Sequence, residues 1–239
     1  MDQREDIITA DKLQGLPEPV QRYLTYTGVV GKPRIKTARV KWSGRFRRAI
    51  DQPWMPMAAE QFYTVNPPGF VWNARFKVAG LPLMRARDTY QDGQGHMYAR
   101  LAWVIPIFDV RGEELIQGTM VRYLQEMIFF PTAYLEPYIQ WNAVDDTCAE
   151  VKFTDHGRSV SGKMYFDPQG RLIDFRAQRY REINGNFSLD TWTTPVSAYG
   201  TLAGLNLPLH GVAVWKLDSG DLPYAEVEAV DVQYNLDEA

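Results

Sequence analysis

Five charged side chains have the types and the setting for acid–base chemistry: Glu60, Asp88, Arg122, Glu126 and Arg179. Glu60, Asp88 and Arg179 sit in stretches of alternating apolar and polar residues, where every second side chain shares a face. A carboxylate turned toward the apolar side needs an arginine partner or a raised pKa, and either condition marks a functional-site candidate. Such a carboxylate could act as a general base, with Arg122, Arg179 or a tyrosine stabilising developing negative charge. The reaction classes open to it are those of a cofactor-independent lyase, isomerase or hydrolase, which needs no sequence motif. Arg122 and Glu126 also have the spacing of an ordinary exposed ion pair on a helix flank.

The same alternation sorts the neighbours. Gln61 shares a face with Tyr63, and Glu60 with Phe62; Trp72, Ala74 and Phe76 share another. Asp88 alternates with Tyr90, Arg179 with Arg181, and Trp192 with Thr194. Aromatic residues make up 13% of the chain, enough both to fill a core and to wall an apolar pocket. Gln61, Trp72, Tyr90, Trp103, Tyr123, Met127 and Trp141 are the candidate ligand-binding residues, with Trp42 as a further wall. Met120, Tyr123, Leu124, Met127 and Ile128 form one apolar helical stripe, suited to core packing or to roofing a cavity.

Other chemistries lack their residues. His96, His156 and His210 are dispersed, with no His-x-His, His-x-x-x-His or Cys/His cluster, so no metal site is expected. Cys148 follows Asp145 and Asp146, whose charges disfavour a thiolate. Neither a Gly-x-Ser-x-Gly elbow nor a Gly-rich nucleotide loop occurs, and no cofactor is expected. A net charge of -3 argues against nucleic acid as a partner. The basic run Arg34, Lys36, Arg39, Lys41, Arg45, Arg47 and Arg48 reads as a solvated sheet face.

These candidates are positioned by a strand-rich chain. Strands are predicted at about 34–48, 58–65, 69–79, 83–91, 95–104, 137–143, 147–155, 158–166, 171–182, 186–199, 207–217 and 223–234. Asp92-Gly93, Asp155-His156-Gly157 and Asn184-Gly185 supply turns. One helix, about 111–129, interrupts the series, with Asp109 as its expected N-cap and Pro131 beyond its end. Residues 1–15 are expected to be loosely held, and a short helix opens at Leu16-Pro17-Glu18-Pro19 and stops at Gly28. The expected class is α+β, mainly antiparallel β: a curved sheet or half-barrel of about 10–12 strands, the helix across its concave face. Residues 1–239 are read as one domain, with 1–30 as its N-terminal polar segment and short helix.

Leu16 to Leu24 (LPEPVQRYL), Ala59-Glu60-Gln61 with Pro67 to Trp72 (PPGFVW), and Val121 to Glu126 (VRYLQE) with Phe130 to Ala133 (FPTA) carry a resemblance, joined by Pro208, Val214-Trp215 and the stretch Tyr224 to Asn235. Together they resemble an uncharacterised bacterial family of domain-of-unknown-function proteins with LolA-like β architecture. The resemblance implies a half-barrel that cradles a hydrophobic molecule against a helical lid. It implies no catalytic residue. Lipoprotein carriers of that shape are exported, whereas this chain opens on Met-Asp-Gln-Arg-Glu-Asp, charged where a signal peptide is apolar.

The chain is therefore expected to be a cytoplasmic binding protein for an apolar or aromatic small molecule, with the cofactor-independent enzyme as the alternative. The lone Cys148 fits a reducing compartment, no run of about 18 apolar residues predicts a membrane span, and a homo-oligomer stays open. A plainer alternative is an interaction protein that uses the basic strand or an open sheet edge.

Overall fold

A computed structural model describes residues 6–78, 80–102, 104–183 and 185–236. The period-two pattern becomes the strands β1 (Thr37–Phe46), β2 (Met55–Thr64), β3 (Gly69–Val78), β4 (Leu81–Gln91), β5 (Gln94–Leu101) and β6 (Ile105–Val110). After the helices follow β7 (Ile139–Asp145), β8 (Cys148–Asp155), β9 (Arg158–Phe166), β10 (Leu172–Ile183), β11 (Asn186–Thr193), β12 (Val196–Leu202), β13 (Leu205–Leu217) and β14 (Gly220–Tyr234). All join one 14-stranded antiparallel sheet in the order β6-β5-β4-β3-β2-β1-β14-β13-β11-β10-β9-β8-β7, with β12 paired to β13 off this path. The last strand, β14, pairs with both β1 and β13 and so stitches the N-terminal meander to the C-terminal one. Turn chemistry sets the register: Asp92 and Gly93 both take positive φ, 51° and 69°, and pair Gln91 with Gln94.

Two strands go beyond the expected set. Residues 105–110 form β6, and the predicted strand 186–199 splits into β11 and β12 at Thr194-Pro195, where proline interrupts a ladder. The helix α2 is Glu113–Glu126, continued by a 3-10 turn at Met127–Phe129. Its N-cap is Gly112, not Asp109: Asp109 lies within β6, and its carboxylate is hydrogen-bonded to the His96 ring at 2.9 Å. The N-terminal segment is better anchored than its polarity suggests. Ile8 is fully buried, and its backbone pairs with Lys32 and Gly31. The helix α1 (Glu18–Thr27) ends on Gly28 with φ 78°, the left-handed cap that glycine adopts freely.

The sheet curls around α2, which packs on β4 and β5 from one flank and on β9 and β10 from the other. The two flanks also meet directly: Tyr90 on β4 donates to Asp155 on β8, and its ring lies 6.4 Å from Phe153. On β10, pairing with β9 ends at Arg176, and Gln117 of α2 takes over the bare edge. It donates to Gln178 O at 2.8 Å and accepts from Tyr180 N at 3.1 Å. Gly118 lies at this crossing, near Tyr180 O, and its carbonyl accepts from Arg179 Nε at 2.9 Å.

One end of the half-barrel is packed solid. Tyr23, Tyr63, Tyr90, Tyr123, Tyr134, Phe70, Phe130 and Phe153 are its largest fully buried side chains, and α1 plugs it from below through Tyr23 against Tyr134 and Phe166. The apolar stripe of α2 belongs to this core rather than to the roof of a void: Met120, Tyr123, Leu124 and Met127 are fully buried among these rings. At the other end, Phe46, Met55, Met84 and Tyr224 are partly buried and pack against the core.

Candidate functional site

Arg122 projects from α2 into the concave face and binds three polar side chains there. Its Nη1 donates to Asp88 Oδ2 at 2.7 Å, its Nε to Glu126 Oε1 at 2.9 Å, and its Nη2 to Gln61 Oε1 at 3.1 Å. Gln61 returns a bond from Nε2 to Glu126 Oε2 at 2.7 Å, and Tyr63 donates to the same oxygen at 3.2 Å. Strand alternation explains the convergence: Gln61 pairs with Trp72 and Trp72 with Asp88 across β2, β3 and β4, so all three share one row of the inner face. The guanidinium lies over the Trp72 ring at 4.9 Å and the Phe70 ring at 5.1 Å, which stabilises the cation where water is scarce.

The electrostatics follow from one cation serving two carboxylates in a dry place. Burial pushes the Asp88 carboxyl above its ordinary value, against the pull of Arg122 and Arg179. Burial pulls the Arg122 guanidinium down, but Glu126 and Asp88 outweigh it and hold its pKa up. Burial, reinforced by Glu126, raises Tyr63 far above the tyrosine range. Among the described residues, Asp88 Oδ1 and Trp42 Nε1 are buried without a hydrogen-bond partner. Each is an unmet polar atom on the inner face.

From Trp72 a run of aromatic rings continues around that face. Trp72 meets Phe76 at 6.3 Å, Phe76 meets Phe46 at 5.8 Å, and Phe46 meets Tyr224 at 5.9 Å. Tyr224 stacks on Trp215 at 5.7 Å. Arg179 closes the run, lying over Trp192 at 4.7 Å and Trp215 at 5.7 Å. Its Nε donates to Gly118 O at 2.9 Å, one helical turn before Arg122. Two arginines, held by the same helix, thus cap the two ends of an aromatic arc.

The expected site residues divide accordingly. Gln61, Trp72, Asp88, Arg122 and Glu126 come together, and Arg179 lies at the far end of the same face. Glu60 does not join them: the pattern that turns Ala59, Gln61 and Tyr63 inward sends Glu60 out to Arg39, at 3.6 Å. Tyr90, Tyr123 and Met127 are fully buried in the packed end. Trp141 is half-buried on the edge strand β7 and donates to Tyr134 O. Trp103 lies outside the described residues. Two clefts, of about 450 and 290 Å³, lie away from the arc, one between α1 and Gln169 and one between α2 and β9.

Tyr63, Phe46, Tyr224 and Trp215 were not among the expected site residues. Alternation along β1 and β13 carries the signal for Phe46 and Trp215, whereas Tyr224 is the extra residue of a bulge between β13 and β14. A bulge shifts the alternation by one, so no period-two pattern reports where that side chain points.

Residues 6–227 match the model of a family of unknown function, DUF6544. The chain belongs to this family. No curated protein matches it. Among solved structures, it is similar to a DUF1329 family protein from Desulfovibrio piger, with a TM-score of 0.52 at 8% identity over 92% of this chain and 93% of that one. A LolA superfamily protein from Nitrosomonas europaea aligns with a TM-score of 0.48 at 10% identity, over 97% and 96% of the two chains. With the Desulfovibrio piger protein the DUF6544 chain shares a likeness of fold alone. Among its described residues, no helix is long and apolar enough to cross a membrane.

Proposed function

We propose that this DUF6544 protein is a cytoplasmic, single-domain binding protein for an apolar or aromatic small molecule, held along the concave face at the end that carries Phe46 and Tyr224. The aromatic arc from Trp72 through Phe46 and Tyr224 to Trp192 carries this reading. A ligand laid against the half-buried Phe46 and Tyr224 would remove apolar area from water at about 25 cal/mol per Å², the main source of affinity for such a ligand. The deciding experiment is mass spectrometry of the gently purified protein beside its organic-solvent extract. A stoichiometric apolar compound is expected. An empty protein that also shows neither tryptophan quenching nor a rise in Tm with apolar and aromatic compounds would overturn the reading.

A second reading, a cofactor-independent acid–base enzyme, is supported by the unpartnered Asp88 Oδ1 beside Arg122. It ranks below binding because the Asp88, Glu126 and Arg122 side chains are only 3%, 12% and 16% exposed and largely bond one another. A substrate would have to break that set to reach it.

A further inference from the structure

Tyr224 Oη accepts two hydrogen bonds, from Trp192 Nε1 at 3.0 Å and from Arg179 Nη1 at 3.2 Å. A phenol oxygen has two lone pairs and one proton. Both lone pairs are therefore engaged, and the O–H must point elsewhere. Among the described residues it meets no acceptor, and Arg179 Nη2 makes no hydrogen bond. Two unused donors thus stand side by side on the inner face.

Arg179 also lacks an acidic partner among the described residues. Asp190 sits opposite it in the β10–β11 ladder but pairs with Arg181 at 2.8 Å. Asp88 feels the Arg179 charge, yet its bonded partner is Arg122. Arg122 and Arg181 are therefore each matched by a carboxylate, and Arg179 is not. The β-bulge adds to the case, because it is what turns Tyr224 onto Arg179, and bulges that re-aim a side chain recur beside functional sites.

We infer that Arg179 and Tyr224 hold the carboxylate head group of an amphipathic ligand whose apolar body lies along the aromatic arc. One carboxylate oxygen faces the free guanidinium edge and the other the phenol O–H, a two-point match. A doubly charged phosphate suits the place less well, since Asp88, Glu126 and Asp190 already share this face. The inference deepens the binding reading above and rests on it.

Dodecanoate and dodecan-1-ol, which share an alkyl chain and differ in the head group, separate the two ideas. Both are titrated into the full chain, followed by tryptophan fluorescence and calorimetry, with Arg179→Met and Tyr224→Phe alongside. Dodecanoate is expected to bind the native chain roughly tenfold or more tighter than the alcohol, as a charge-assisted hydrogen bond implies. Either substitution removes most of that preference, read as the ratio of the acid and alcohol affinities within each variant. Equal affinity for acid and alcohol in the native chain overturns the head-group site while sparing the apolar-ligand reading. So does an acid preference that survives both substitutions. If neither compound binds, the head-group site falls, and the mass spectrometry above decides the apolar-ligand reading. The comparison in the native chain decides the matter even where a variant fails to fold.

Discussion

Arg122 Nη1 donates to Asp88 Oδ2 across 2.7 Å, joining the only long helix of the described chain to the fourth strand of its sheet. The same guanidinium holds Glu126 one turn further along its own helix. The bond therefore fixes the helix in rotation as well as in place, because Arg122 and Glu126 must face the strand together. A buried ion pair adds little net stability when complete, since desolvation offsets the attraction. Its cost appears when one partner is removed.

Arg122→Met keeps the apolar stem of the side chain, removes the guanidinium, and leaves Asp88 and Glu126 without their cation. Loss of about 3–5 kcal/mol of unfolding free energy is expected, as for other buried charges deprived of a partner. Asp88→Asn retains an acceptor for Arg122 Nη1 and is expected to cost about 1 kcal/mol or less, the worth of one weakened hydrogen bond. Urea unfolding of both variants, read by tryptophan fluorescence, tests the order. Equal losses would mean that Asp88 matters as much as Arg122 and that the arginine is not the organising member.

The raised Asp88 carboxyl predicts a pH dependence with a definite sign. A carboxyl whose folded pKa exceeds its unfolded value makes the native state bind more protons. Its contribution is most favourable below the ordinary value of 3.8 and is lost as pH rises through the raised folded pKa. Asp88→Asn cannot ionise, so its Tm relative to the native chain is expected to climb from pH 4 toward neutrality. A difference that stays flat, or that falls with rising pH, would show that Asp88 is ionised in the fold with an unraised pKa.

The faces that build this cluster were legible in the sequence because an uninterrupted strand has only two faces. Spacing alone put Gln61 on one face with Tyr63, Trp72 with Phe76, Asp88 with Tyr90 and Arg179 with Arg181, but not the three strands' residues in one row. What spacing cannot state is which face is inner when both carry charge, and Glu60 beside Gln61 shows the consequence. The sequence also placed Arg122 and Glu126 on the flank of a helix without showing that this flank meets β4; that depends on how far the sheet curls. Tyr224 was hidden for a different reason, since its bulge breaks the period that makes a strand readable.

Two glycines predict opposite outcomes for the same substitution. A Cβ on Gly118 would lie 3.6 Å from Tyr180 O and 3.7 Å from Arg179 Nε, ordinary contact distances. Gly118→Ala is therefore expected to stabilise the chain by about 0.5–1 kcal/mol through the helix preference for alanine. A Cβ on Gly162 would lie 2.2 Å from Cζ of Phe175, a fully buried ring with no room to withdraw. Gly162→Ala is expected to cost about 1–3 kcal/mol or more, the usual penalty of overpacking. Thermal unfolding of the pair checks both signs.

Closure of the half-barrel can be tested at Tyr90. Its hydroxyl donates to Asp155, whose other oxygen binds the His156 ring at 2.9 Å, so the turn after β8 is tied to the end of β4. The ring itself is fully buried between Tyr123 and Phe153, at 6.3 and 6.4 Å. Tyr90→Phe keeps this packing and removes only the tie. A loss of about 1 kcal/mol is expected, the typical net worth of one hydrogen bond. Because β4 and β8 approach from opposite flanks of the sheet, the loss should be local. Backbone amides of the 90–95 and 153–158 turns are expected to exchange faster, while those of β1, β2 and β14 keep their protection. Faster exchange spread evenly over the whole sheet would mean instead that the two flanks open only with global unfolding, and that the Tyr90–Asp155 contact is no separate latch.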